Sequence, residues 1–118
     1  MSVNLVDRVL AITKPCIVDG HRAHCISGGV LRSIIDPRRR EAREAVRQAA
    51  AKLGAKAVLY VHRKLARRHI NGKTYFNAER LVKVVITADG ADPLELANYF
   101  RVHGLAVNIE WVKNPALQ

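Results

Sequence analysis

The pair Asn71-Gly72 lies in the middle of a long stretch of strand-forming residues that runs from 57 to 87. Both central residues of a type I′ turn need a positive φ, and Asn-Gly is a pair that adopts this turn readily. A two-residue turn at this position pairs Ile70 with Lys73 and fixes the register of both strands. The pattern therefore predicts a long β-hairpin over 57–87.

The register implied by the turn can be followed to the base of the hairpin. The successive cross-strand pairs are Arg67–Phe76, Arg63–Arg80, Val61–Val82 and Leu59–Val84. The last two pairs are apolar and belong on a core, whereas the apolar alternation fails beyond Arg63. Strands of this length are also unusual for a buried element. We therefore predict that about residues 63–80 project from the body as a two-stranded basic arm.

The predicted arm combines basic and aromatic residues. Its candidate nucleic-acid contacts are Arg63, Lys64, Arg67, Arg68, Lys73, Tyr75, Phe76 and Arg80. The cross-strand pair Arg63–Arg80 is destabilising by itself, and a phosphate held between the two side chains would offset that cost. Such a ribbon can enter a DNA groove, and aromatic rings can stack on unpaired bases. The alternatives are an ordinary hairpin with solvated Lys and Arg, or a helix over 63–69.

The net charge of +10 is concentrated in the middle of the chain. Residues 38–83 carry 14 Lys and Arg against three Glu, a net charge of +11. Residues 1–37 carry a net charge of +1 and residues 84–118 a net charge of −2. A charge concentrated in this way favours a polyanionic partner, although a solvated basic face is the simpler interpretation.

A helix is predicted over 37–53. Asp36-Pro37 offers an N-cap followed by proline at the first helical position, and Gly54 offers a left-handed stop. Opposite its Ala-rich face lies a second candidate nucleic-acid surface, formed by Arg40, Arg43 and Arg47. The alternative is a soluble outer face that Glu41 and Glu44 partly neutralise.

A second helix is predicted from Asp92-Pro93 to Gly104, with a start that resembles a capping box. Strand patterns lie at 57–61, 81–87 and 105–112. If residues 22–35 supply a preceding strand, the order is βαββαβ, the split arrangement of a ferredoxin-like sandwich. The fold class predicted is α+β, in a single domain of 118 residues, with two helices on one face of an antiparallel sheet.

The N-terminal third is less clearly patterned. Residues 3–13 fit a short helix, with a strand as the alternative. Asp19-Gly20 predicts a two-residue hairpin, and Ser27-Gly28-Gly29 ends its second strand. Residues 30–35 could form a further strand or a helical turn.

The cluster Cys16, His21, His24 and Cys25 invites a metal interpretation, which the predicted hairpin opposes. His21 and Cys25 would lie on one strand about 13 Å apart, too far for one tetrahedral zinc. The diagonal pair Cys16 and Cys25 would have Cα atoms about 7–8 Å apart, which disfavours a disulfide. We therefore expect two thiols and no metal or other cofactor.

Asp7 and Arg8 lie where a secretory signal would be apolar, and no apolar run approaches the ~20 residues of a membrane helix. A cytoplasmic protein that does not span a membrane is expected. No spacing supports catalysis, and a metal-dependent nuclease is the enzymatic alternative. Its best carboxylates are Asp89, Asp92 and Glu95, of which the last two are accounted for by helix capping.

These observations predict a small nucleic-acid-binding protein that acts through phosphate contacts, with low sequence specificity. They do not distinguish DNA from RNA. The alternative is a protein-interaction module, such as an assembly subunit or an inhibitor from a phage or mobile element, which binds an acidic partner. A homodimer would suit either function.

Overall fold

The computed structural model describes residues 4–64, 68–75, 79–88 and 90–113. The elements in chain order are α1 (Leu5–Ile12), β1 (Lys14–Val18), β2 (His21–Ser27), α2 (Gly28–Ile34), α3 (Arg40–Lys52), β3 (Ala57–Lys64), β4 (Arg68–Ile70), β5 (Lys73–Tyr75), β6 (Glu79–Thr87), α4 (Pro93–Val102) and β7 (Ala106–Trp111). Five strands form an antiparallel sheet in the order β1-β2-β6-β3-β7, and β4 pairs with β5. The α+β class and the antiparallel sheet are confirmed.

Two crossover connections organise the sheet. Strands β2 and β3 are both antiparallel to β6, which lies between them, and α2 and α3 connect them. Strands β6 and β7 are both antiparallel to β3, and α4 connects them. The order βαββαβ is therefore present from β2 onward, preceded by α1 and β1.

The two predicted helices lie on opposite faces of the sheet, which differs from the expected two helices on one face. Both crossovers step in the same direction across the sheet, but they start from strands that run in opposite directions. Because such connections are right-handed, the helices of the two crossovers must lie on opposite faces. The ferredoxin-like sandwich, in which both helices share a face, is therefore not the arrangement found.

Each face of the sheet has its own core. Helices α1, α2 and α3 pack on the face that carries Val58, Tyr60, Val84 and Ile86. Helix α4 packs on the opposite face, through Leu96, Ala97 and Phe100 against Leu59, Val61 and Val85. The alternating side chains of β3 and β6 thus enter two different cores, which is why residues 57–61 of β3 and 84–86 of β6 are apolar without interruption.

Helix α3 begins three residues later than predicted. The backbone N–H of Arg38 donates to Asp36 Oδ1 at 2.9 Å and that of Arg39 to the Asp36 carbonyl at 3.0 Å, so Asp36-Pro37 starts a turn. The helix itself runs over Arg40–Lys52 instead of 37–53. Gly54 has φ +71° and ends it as predicted.

The structure decides two predictions for the N-terminal third and one for the start of α4. Residues 5–12 are helical, and Asn4 Oδ1 accepts from the Asp7 N–H at 2.8 Å. Residues 30–34 take the helical alternative as part of α2, and Ile35 is the extended residue that ends it. Asp92 caps α4 by accepting from the Leu94 N–H at 2.9 Å.

The hairpin at Asp19-Gly20 has the predicted register, with Val18 opposite His21, but its cysteines are bonded to each other. The Cα atoms of Cys16 and Cys25 are 5.8 Å apart, within the range that a disulfide spans. The prediction of two thiols was wrong because it took the diagonal distance from a flat strand pair. The right-handed twist of real strands shortens one diagonal.

A β-bulge shifts the strand register at the base of the long hairpin by one residue from the predicted register. Arg63 lies opposite Arg80, as predicted, but Val61 lies opposite Lys83 and Leu59 opposite Val85. The predicted pairs Val61–Val82 and Leu59–Val84 were therefore wrong by one residue. The extra residue places Leu81 in the same core as Val84, although the two are three positions apart.

Candidate nucleic-acid interface

The tip of the long hairpin is a separate two-stranded ladder. Ile70 lies opposite Lys73, and Asn71 and Gly72 have φ values of +53° and +75°, as a type I′ turn requires. No described residue of β4 or β5 belongs to either core cluster. The alternative of a helix over 63–69 is contradicted at both of its described ends, which are strands.

The predicted contacts on the arm divide into three groups. Arg63, Lys64, Lys73 and Arg80 are exposed. Arg68 and Tyr75 pair through their backbones, and their side chains are outside the described part of the structure. Arg67 and Phe76 lie outside the described residues altogether.

At the base of the arm, two arginines face each other across the strands. Arg63 and Arg80 occupy one cross-strand pair, and Lys64 and Glu79 occupy the next. Within the described ranges, neither Arg63 nor Arg80 has a carboxylate within ion-pair distance. The arm base therefore holds two guanidinium groups whose charge the described protein does not neutralise.

The arginines of α3 are partly neutralised by carboxylates. Arg43 Nη2 lies 3.3 Å from Glu110 Oε2 on β7. Arg47 pairs with Glu44, and its hydrogen bond lowers the pKa of that carboxyl. Arg40 is exposed at the first turn of the helix. Of the predicted stripe, Arg40 is thus the member that has no carboxylate partner in the described part of the chain.

An open groove of about 760 Å³ joins the arm base to the start of α3. Its lining includes four arginines that come from separate parts of the chain, namely Arg32, Arg38, Arg43 and Arg80. Asp36 and Glu79 also line it, together with Tyr60 and His62. The fold therefore brings two predicted contacts, Arg43 and Arg80, into one concave site.

Two groove arginines are held in place by hydrogen bonds. Arg32 Nη1 donates to the Leu81 carbonyl at 2.9 Å, and no carboxylate of the described residues lies within ion-pair distance of its guanidinium. Arg38 donates to both carboxylate oxygens of Asp36, at 3.2 and 3.0 Å. These hydrogen bonds, the side-chain one foremost, lower the pKa of Asp36, so its carboxyl is ionised at neutral pH.

The floor of the groove holds two buried polar atoms that have no partner with hydrogen-bond geometry among the described residues. They are the hydroxyl oxygen of Tyr60, which is 5 % exposed, and His62 Nδ1. Burial, and to a lesser extent the Glu110 carboxylate, raises the pKa of Tyr60, and the nearby Arg43 guanidinium only partly opposes that rise, so the phenol keeps its proton. The Arg43 guanidinium lies over the Tyr60 ring, 5.2 Å from its centroid. Buried polar groups in this state are costly and favour a ligand or a water that can satisfy them.

Sequence reasoning missed Arg32, Tyr60 and His62 as site residues. Arg32 lies outside the two basic surfaces that were predicted, and only the fold brings it to the groove. Tyr60 and His62 are two residues apart on β3, and whether they reach the groove depends on which of the two cores each face of the strand enters. No pattern in the sequence specified that choice.

Two further features of the described residues bear on function. In the ranges that the structure covers, His, Cys, Asp and Glu form no group of three or more that could hold a metal ion. None of the helices in those ranges combines the length and the apolar character needed to cross a membrane.

Comparison with protein-family models, with curated proteins and with solved structures finds no match to this chain. Function therefore has to be inferred from the residues of the site.

Proposed function

We propose that this protein binds nucleic acid through its phosphate backbone, using the hairpin arm and the adjoining groove as one surface. The observation that carries the proposal is the like-charge pair Arg63–Arg80 at the junction of arm and groove. A cross-strand pair of equal charges opposes folding, and a bound phosphate turns that repulsion into two attractive contacts.

The layout of the exposed cations supports a partner that is long and anionic. Lys73 is near the arm tip, Arg63 and Lys64 are at the arm base, and Arg40 is on α3. A polyanion with regularly spaced charges can contact such a series along its length, and it gains affinity by releasing its counterions.

The proposed contacts are with phosphate and give little sequence specificity. Arg and Lys supply most of the exposed polar groups on this surface, and Asn108 is the only described amide side chain in the groove lining. Asn and Gln are the side chains that read adenine edges in the major groove.

Charge-neutralising variants test the proposal. Arg63→Gln combined with Lys73→Gln removes two cations from the arm, and Lys52→Gln combined with Lys113→Gln removes two exposed cations from the opposite end of the sheet. We expect the arm variant to reduce the slope of log affinity against log salt by about two, and the control to change it little. Fluorescence anisotropy with duplex DNA, single-stranded DNA and RNA measures both slopes.

Equal slopes for the two variants would contradict the use of the arm. If all three nucleic acids bind at the millimolar level or not at all, the basic surface belongs to an acidic protein partner, which was the alternative. The strand type bound most tightly identifies the natural ligand class.

A cytoplasmic location accompanies the proposal. The Cys16–Cys25 disulfide removes the argument from two thiols, so this location now depends on nucleic-acid binding. The homodimer and the absence of catalysis stay predictions.

A further inference from the structure

We infer that the groove at the base of the arm is a binding site for a phosphate monoester, carried either by the end of a nucleic-acid strand or by a free nucleotide. For the strand end the inference rests on the proposed function, and for the free nucleotide it does not. The groove is within the size range of sites that hold small ligands, roughly 300–1,000 Å³.

The charge of the groove matches a dianion better than it matches a point within a strand. Its lining holds four arginines, Arg32, Arg38, Arg43 and Arg80, against two carboxylates, Asp36 and Glu79, so these six side chains carry a net charge of +2. That net charge corresponds to a monoester, which carries about −1.5 to −2 at neutral pH. A phosphodiester within a strand carries one negative charge and would leave one guanidinium unneutralised.

The floor of the groove supplies neutral hydrogen-bonding groups. The Tyr60 hydroxyl and His62 Nδ1 lie on the same face of β3 and have no partner in the described ranges. A protonated phenol donates to a phosphate oxygen, and burial strengthens such a bond. A buried hydroxyl without a described partner thus favours a ligand that brings an acceptor oxygen to it.

Arg43 links the groove floor to its rim. Its guanidinium lies over the Tyr60 ring and donates to Glu110 Oε2 at 3.3 Å. In this arrangement the Tyr60 hydroxyl oxygen and His62 Nδ1 are buried. A phosphate that enters the groove competes with Glu110 for this guanidinium. Binding therefore moves Arg43 from Glu110 to the ligand and uncovers the Tyr60 hydroxyl.

The first test compares a short single-stranded oligonucleotide with a 5′-phosphate against the same oligonucleotide with a 5′-hydroxyl. The 3′-phosphorylated form and adenosine monophosphate, with adenosine as its control, distinguish the sources of the monoester. We expect one of these phosphate-bearing probes to bind about tenfold more tightly than its unphosphorylated control, because a charge-assisted contact contributes this much.

Variants test whether the preference for phosphorylated probes arises in the groove. Tyr60→Phe removes only the hydroxyl and is expected to abolish most of the preference for phosphate. Glu110→Gln is expected to increase it, because Arg43 loses its competing partner. Glu95→Gln makes the same change in net charge on α4, and it should leave the preference unchanged.

Equal affinity for every phosphorylated probe and its control overturns the inference. If the unphosphorylated oligonucleotide still binds with a steep dependence on salt, the proposed function survives that failure. A preference that is unaffected by Tyr60→Phe, or raised equally by Glu110→Gln and Glu95→Gln, also overturns it.

Discussion

At the residue scale, Gly28 shows how a single side-chain atom limits the fold. A Cβ at this position would lie 2.2 Å from the Leu81 carbonyl oxygen, so α2 can approach β6 only through glycine. We expect Gly28→Ala to lower the free energy of unfolding by about 3 kcal/mol. Gly29→Ala is the control, because its nearest atom would be 3.8 Å away. Urea denaturation measures both, and equal stabilities would contradict the close approach.

Tyr60→Phe tests the unpartnered hydroxyl without any ligand. Because removing a buried polar group that has no partner relieves its desolvation cost, we expect the free energy of unfolding to rise by about 1 kcal/mol. Denaturation of the ligand-free protein measures the change. A loss of stability instead would show that the hydroxyl has a partner within the protein.

Sequence predicted the conformation of individual residues correctly where a strong local rule determines it. Gly54 and Asn71 adopt the positive φ that their positions required, and Asp92 caps α4. Residue-scale prediction failed at Cys16 and Cys25, because a disulfide depends on a distance that the twist of the hairpin sets.

At the element scale, the base of the long hairpin carries a repulsive cross-strand pair next to an attractive one. Arg63 faces Arg80, whereas Lys64 faces Glu79. We expect Arg63→Gln to raise the free energy of unfolding by about 0.5 kcal/mol and Lys64→Gln to leave it unchanged or lower it. Both variants remove one positive charge, so both should weaken nucleic-acid binding. Thermal and urea denaturation give the stabilities, and a loss for Arg63→Gln would contradict a repulsive pair.

The bounds of elements could be predicted only where one local signal acts alone. The Asn71-Gly72 turn determined the register near the tip, but the bulge beside Val61 changed it at the base. Both registers bury apolar residues, because residues 81–86 are apolar on both faces apart from Lys83. Similarly, Asp36 can cap a turn or a helix, and its bonds to Arg38 favour the turn.

At the scale of the whole molecule, the three-layer arrangement depends on strand order. Local patterns predicted α3 and α4, but the direction of each crossover determines which face a helix covers. The uninterrupted apolar run at 57–61 fits burial on both faces of β3, although the prediction placed both helices on one face. The groove could not be predicted, because Arg32, Arg38, Arg43 and Arg80 meet only through this arrangement.

The proposal that the basic surface binds phosphate is tested most directly by the salt dependence of binding. Fluorescence anisotropy of the wild-type protein with duplex DNA, single-stranded DNA and RNA is measured at about 50 and 200 mM salt. We expect sub-micromolar affinity for at least one of them at the lower concentration and a loss of about a hundredfold at the higher, which corresponds to roughly four phosphate contacts. Millimolar binding to all three, or an affinity that does not change with salt, would contradict the proposed function.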